Sequence, residues 1–527
     1  MVVAFLSPPN TMHIFSPPLT HSPGAYNVHP RPVAPYNAVD GLLLLHSAIA
    51  IGASYDSAER YPPPKCHPQT RKVVFEIILA WTQNAPRGPR VMWVHGDGGS
   101  GKTAISQTVA EYCAHTGQLG ASFFFAHNKG DRSDGRLLFP TIAYKLASVI
   151  PDLRAAISHA IQLDTTILGD SLEVQAQRLL VEPYRTIHHP PIPTLVIIDG
   201  LDACEGDDIQ QRILTIIAQL VVVHRLPLCF FVTGRPDPAI QSAFDSPMFH
   251  KVSTRIPLEV FVSDEDVRTF LRSEFASIRQ YHSPIMPGVP EPWPSTDVVE
   301  LLVNKSAGSF LYPSTVIKYV DDTRGNPADR LVEVVVAATA PTTLSAIDQL
   351  YHHILASSGD ASAVLNAVGP LACTYGAVPP SELELLLNTA PGEITLALDN
   401  TTTIEFLTDI GRASLKFWVD VGTYHAQLAG GCIRYLQQHL DGLEGINLAS
   451  YQYVRRRWTK HLENSAPTND LFEQLSEPRF IYSRTLAEVQ KVIAWLQILP
   501  EMPIDLLDLW QTWAAEQQQQ IVLPLSP

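Results

Sequence analysis

The chain has 527 residues, 46% of them hydrophobic and 17% charged, which suits about three globular domains and excludes a wholly disordered chain. Its 37 Lys and Arg against 52 Asp and Glu give a formal net charge of −15, which argues against broad electrostatic binding to nucleic acid. Six scattered cysteines without pairing or metal-ligand spacing suit a reducing compartment. No secretory signal is visible and no apolar run reaches the ~20 residues of a membrane helix, so a cytoplasmic protein without a membrane segment is expected.

Residues 1–40 carry eight prolines among Ser, His and Asn, a density that opposes helix and sheet and predicts a disordered or extended arm. Helix is expected over Asp40–Ala53. Pro62-Pro63-Pro64 breaks the chain, and a second helix over 70–81 leads to an apolar strand, Val91 to Val94. That strand runs into Gly96-Asp97-Gly98-Gly99-Ser100-Gly101-Lys102-Thr103, a complete G-x-x-x-x-G-K-[ST] phosphate loop, and a helix-compatible run from Ala104 to Ala114 follows. The glycines let backbone N–H groups curl around a phosphate, and the helix points its positive end at the same anion. Lys102 is placed to reach the β- and γ-phosphates and the Thr103 hydroxyl to ligate Mg²⁺.

A second strand is expected over Leu119–Ala126, then helical stretches over 140–163 and 171–181. Thr194 to Ile198 is an apolar run ending in Asp199, an acid at the carboxyl end of a buried parallel strand, where ligands bind in open α/β sheets. Asp199 is the candidate Mg²⁺ ligand beside Thr103; the bland reading is an acid capping an ordinary strand end. A helix near 208–224 and a strand over 227–233 complete an alternation that predicts a largely parallel sheet, an α/β P-loop NTPase core. After about Pro257 helices dominate. Ser263 caps an acidic first turn, and helices follow near 296–321, 327–338, 344–357 and 361–375. Glu405 to Val419 reads as short strands of a small wing-like unit, and the pattern is helical again from Val421 to about Gln520.

Several stretches, in order, resemble the NACHT class of STAND signalling NTPases, specifically the fungal group with a nephrocystin-like core. They are Ala53–Arg60 with Pro62–Arg71, the phosphate loop, Leu119–Phe125 with Leu138–Tyr144, Ile198–Cys204, Phe231–Pro238, and more weakly Lys305–Tyr312 and Tyr453–Leu462. The resemblance covers about residues 50–500. It implies a helical pre-core linker (41–90), a NACHT core (91–257), a helical domain (258–340), a winged-helix-like domain, shortened here (341–425), and a C-terminal helical domain (426–527). It further implies a switch that binds ATP or ADP with Mg²⁺, forms a homo-oligomer in the ATP state, and serves non-self recognition or regulated cell death.

By the same resemblance Asp199 is the Walker B acid. Arg235 holds a sensor position, where it either reports the γ-phosphate or forms a structural ion pair. The Cys66–Arg71 segment either packs near the base or staples the linker. The family usually reads Asp-Gly-Leu-Asp-Glu after this strand, but Ala203 stands in the last place. Asp202 therefore remains as the local carboxylate for orienting water, and slow hydrolysis is expected. Gly234 replaces the usual Ser, and no His lies near Leu398–Leu407, where the family has one against ADP. Two further classes stand beside the switch: a small-molecule kinase, which the long helical tail disfavours, and an interaction scaffold whose phosphate site is vestigial.

Overall fold

The computed structural model describes residues 40–84, 88–127, 130–187, 194–322, 325–357, 361–374, 380–387, 404–440, 448–501 and 503–522. The proline-rich arm and the Leu398–Thr403 stretch lie outside them. Five strands, β1 (Val91–His95), β2 (Leu119–Phe124), β3 (Thr194–Asp199), β4 (Leu228–Gly234) and β5 (Ser253–Pro257), form one sheet in the order β2-β3-β4-β1-β5, with every pair parallel. Val91 lies opposite Phe230 on one side and Ser253 on the other. Because all strands run the same way, the loops after β1, β3 and β4 leave from one edge.

Alternation along the strands sends side chains to two separate cores. Val91, Trp93, Phe123, Phe230 and Val232 face one layer, with Phe139, Ile142, Leu153, Ile157, Leu214 and Ile217 against them. Trp93 stacks flat on Phe244 at 4.4 Å between ring centroids. Met92, Val94, Phe124, Ile197 and Phe231 face the other layer, formed by helices α1 (Lys72–Asn84) and α2 (Lys102–His115). Each fully buried phenylalanine here contributes about 1.5–3 kcal/mol relative to exposure. This is an α/β P-loop NTPase core with helices on both faces, and the phosphate loop joins β1 to α2.

Helix α3 (Asp207–Val222) follows the Asp199 loop. Beyond β5 the described chain is helical. Helices α4 (Asp264–Tyr281) and α5 (Leu311–Val320) share an apolar cluster of Val267, Leu271, Phe275, Leu302 and Val316. Helices α6 (Val421–Gln438) and α7 (Leu448–Glu463) anchor another, with Trp458, Trp495 and Trp510 at its centre. No helix among the described residues is long and apolar enough to cross a membrane.

Three elements differ from expectation. Glu405–Val419 does not form strands: Ile404–Thr408 and Ile410–Phe417 are helices, the second started by the Asp409 side chain accepting from the Gly411 N–H at 2.8 Å. Strand β5 was not anticipated, because Ile256 is its one buried residue and Pro257 sits at an edge that needs no donor. The stretch over 140–163 is two helices, Leu138–Val149 and Pro151–Leu163, since Pro151 closes the first and opens the second.

Candidate functional site

The loop after β1 takes a shape that only small residues permit. Gly99 has φ +78° and Gly101 φ +93°, and a Cβ on Gly99 would lie 2.5 Å from the Leu311 Cβ. Lys102 Nζ turns back over the loop and donates to the carbonyls of Gly96 (2.6 Å) and Asp97 (2.9 Å). The Ser100 N–H donates to the Asp97 carbonyl at 3.2 Å. The Ser100 hydroxyl oxygen is buried and has no hydrogen-bond partner among the described residues. Burial holds the Lys102 ammonium below the usual lysine range; Asp202, Asp199 and Asp97 pull it back up and Arg235 pushes it down.

Asp199 ends β3 and is 1% exposed. Its Oδ1 accepts from the Ser106 hydroxyl at 2.5 Å and from the Thr233 hydroxyl at 2.7 Å. Ser106 lies one turn beyond Thr103 on the same side of α2, so the structure brings Asp199 against the helix that carries Thr103. Thr103 itself is exposed and lines a cavity beside Lys102.

Asp202 sits in the short turn Leu201–Ala203 and is half-buried, with its Oδ2 3.5 Å from Arg235 Nε and 4.0 Å from His127 Nε2. Arg235 also reaches over the loop: a Cβ on Gly98 would come within 3.4 Å of its Nη2. A Cβ at Gly234 would lie 3.3 Å from Asp202 Oδ1. Ala203 is buried in the apolar cluster with Leu201 and Cys204. Asp202 is thus ion-paired with Arg235, the residue that follows β4 and reaches over the phosphate loop.

A cavity of about 630 Å³ opens beside the loop, within the usual range for small-molecule sites. Gly99, Gly101, Lys102 and Thr103 form its floor; Pro62–Pro64, Cys66, His67 and Arg71 form one wall. The rest of the lining comes from the helical region, with Phe270, Phe310, Leu311 and Lys318. The rings of His67, Phe270 and Phe310 meet edge to face at 6.3 and 5.7 Å. Cys66 is tied to α2 by its N–H donating to Thr108 Oγ1 at 3.1 Å. Among the described residues no three His, Cys, Asp or Glu side chains gather as a metal site.

Sequence reasoning missed the aromatic wall and a pair of arginines behind Asp199. Arg60 lies 3.5 Å over the Phe124 ring and donates to Gln107 Oε1 at 2.7 Å. Burial pushes its guanidinium down to about 10. Arg132 Nε donates to the Phe124 carbonyl at 3.1 Å. Arg60 ends the Ala53–Arg60 stretch, so the signal was present without its chemistry. Phe270 and Lys318 stood in ordinary helical patterns and carried none.

Residues 74–235 match the family model for Nephrocystin 3, N-terminal. The matched nephrocystin-type stretch holds every candidate site residue, from Gly96 to Arg235, and stops before the Phe270–Phe310 wall. No curated protein matches the chain. Among solved structures, a DNA replication initiation factor is 9% identical, covering 89% of this chain and 99% of that chain at a TM-score of 0.24. Drosophila ORC bound to poly(dA/dT) DNA and Cdc6 is 12% identical, covering 85% of this chain and 65% of that chain at 0.25. Drosophila ORC bound to GC-rich DNA and Cdc6 is 11% identical, covering 97% and 98% at 0.25. At such scores the likeness carries no argument.

Proposed function

We propose that the chain is a nucleotide-dependent switch of the NACHT/STAND type, with ATP or ADP and Mg²⁺ at the phosphate loop and slow hydrolysis. The observation that carries this reading is the cavity beside Lys102, whose walls come from three parts of the chain: the NTPase core, the linker before it and the helical region after it. A ligand filling it touches all three, which gives a bound nucleotide leverage over their arrangement. The nephrocystin-type match over the loop and Asp199 supports the same reading.

The residues fit a nucleotide. Gly99 and Gly101 both take left-handed φ, a Cβ at Gly99 would run into Leu311, the Ser100 hydroxyl lacks a partner among the described residues, and the Lys102 ammonium rests on two carbonyls it can leave. Lys102 would bind the terminal phosphates, Thr103 and Asp199 would hold Mg²⁺, and Ser106 and Thr233 would orient the Asp199 carboxylate. When bound, a triphosphate with Mg²⁺ supplies the transferable γ-phosphoryl group and the charge that distinguishes it from the diphosphate. Arg235, which lies near Gly98 and Asp202, would respond to that charge. Asp202 is engaged by Arg235 and Ala203 adds no second acid, so activation of water is weak. Adenine preference, oligomerisation in the ATP state and a role in fungal non-self recognition or cell death rest on the resemblance.

The test is to purify the full chain and its Lys102→Ala variant and identify the retained nucleotide. Retained ADP or ATP in the wild type, lost in the variant, is expected, with turnover well below that of a metabolic kinase. No retained nucleotide and no binding of added Mg·ATP would leave the scaffold reading, which Ala203 keeps in view.

A further inference from the structure

In a trans peptide the C=O points opposite to the N–H of the next residue. The Ser100 carbonyl and the Gly101 N–H share one peptide unit, so a group that holds that carbonyl outward aims that N–H into the loop. Arg71 Nη2 donates to the Ser100 carbonyl at 3.0 Å. The same guanidinium donates through Nη1 to the Phe261 carbonyl at 2.7 Å, just before α4. The Arg71 N–H donates to Asp266 Oδ2 at 2.8 Å, in the first turn of α4. Arg71 is 6% exposed and sits at φ +56°, a left-handed conformation uncommon outside glycine. The adjacent loop peptide is held the same way from the helical side, where Ser309 Oγ donates to the Gly99 carbonyl at 3.3 Å.

We propose that Arg71 is the positioning residue that couples the phosphate loop to the helical region, by clamping the Ser100 and Phe261 carbonyls in one guanidinium fork. This rests on the nucleotide reading above and adds how occupancy of the loop is passed on. Each Nη atom holds one backbone carbonyl and Nε is buried, so although Arg71 also lines the cavity, its hold on the loop is through the Ser100 peptide. Holding the Ser100 carbonyl outward keeps the Gly101 N–H directed toward an incoming β-phosphate. Conversely, a displacement of α4 that pulls Phe261 away releases that peptide and weakens the phosphate grip. A planar fork makes two directed bonds at once; an ammonium at the same place is a point charge.

The experiment titrates the full chain and its Arg71→Met and Arg71→Lys variants with ADP and with AMP in Mg²⁺, and follows hydrogen exchange at 261–266. The wild type is expected to bind ADP well above AMP and to gain protection at 261–266 with ADP. Arg71→Met is expected to lose about 10- to 100-fold in ADP affinity, the worth of a charge-assisted hydrogen bond, and much less in AMP affinity. Arg71→Lys keeps the charge, is expected to fold, and should fall between the two while losing the ADP-dependent protection; it carries the test if the Met variant does not fold. Equal losses for ADP and AMP would reduce Arg71 to a structural staple and overturn the inference. An unchanged ADP-to-AMP ratio with protection intact in the variants would overturn it too. A wild type that binds neither nucleotide overturns the nucleotide reading and this inference together.

Discussion

Arg235 touches both sides of the site, and its substitution separates its two readings. Its guanidinium faces the loop at Gly98 and pairs with Asp202 at 3.5 Å. If it responds to the γ-phosphate, Arg235→Ala weakens ATP more than ADP, by about tenfold for one lost charge-assisted contact. Equal weakening, measured by titration with both nucleotides, would reduce it to an ion pair at a turn. Asp202→Asn is expected to abolish residual turnover while leaving nucleotide affinity within about threefold, a difference read by single-turnover kinetics. At this scale the sequence was legible wherever chemistry is local: the loop motif and the acid ending an apolar strand lie within a few residues of their own signals. Arg71, Phe310 and the Arg60–Phe124 stack were not, since Arg71 meets Phe261 only 190 positions further along the chain. No spacing rule reaches that far.

Helices and strands were legible where a period or cap was strong. Ser263 caps α4 by accepting from the Asp266 N–H at 3.1 Å, and three acids follow in its first turn. Ser263→Ala should cost about 1 kcal/mol, visible as a lower melting temperature. The Glu405–Val419 error has the opposite cause: short apolar runs suit strand or helix alike, and the Asp409 cap tipped the second run to helix.

The α6–α7 contact yields a pH prediction. His425 and His461 face each other through their Nδ1 atoms at 2.9 Å, and Tyr453 meets the far nitrogen of His461 at 2.8 Å. One proton between the two neutral rings satisfies the contact, whereas two protonated rings would oppose N–H to N–H. Burial first, then the Lys460 charge, pushes His425 down to about 4; burial, His425, Arg457 and Lys460 hold His461 well below its usual value. Between pH ~6.5 and ~4 the unfolded chain takes up protons that the folded pair refuses. The pair's stabilisation is therefore full above pH ~6.5 and lost as pH falls, about 3 kcal/mol for His425 alone. Thermal melts over that range should show the loss, and a His425→Gln variant should lessen it, leaving the part due to buried His461; a pH-independent wild type would contradict the buried-neutral account.

At the scale of the whole molecule, the ion pairs Lys460–Glu205 and Arg457–Asp131, the second at 3.4 Å, join the core to the C-terminal helices. Glu205 also accepts from the Ser133 hydroxyl at 2.7 Å, just past the Asp202 turn. Such half-exposed pairs contribute at most about 1 kcal/mol each and weaken with salt. Replacing Arg457 and Lys460 by Ser should leave the melting temperature nearly unchanged yet raise hydrogen exchange at the Glu205 amide, which donates to the Ser133 carbonyl at 2.9 Å. Parallel α/β order followed by helices was legible from alternating patterns; the meeting of three distant segments around one cavity was not, because packing decides it. The most direct measurement of the central claim is hydrogen exchange of the full chain with Mg·ATP, with Mg·ADP and without nucleotide. The account predicts nucleotide-dependent protection at once in the linker near Arg71, the loop at 96–103 and the Phe310–Leu311 segment, with ATP and ADP differing near Arg235. Protection confined to the loop, or none, would contradict it.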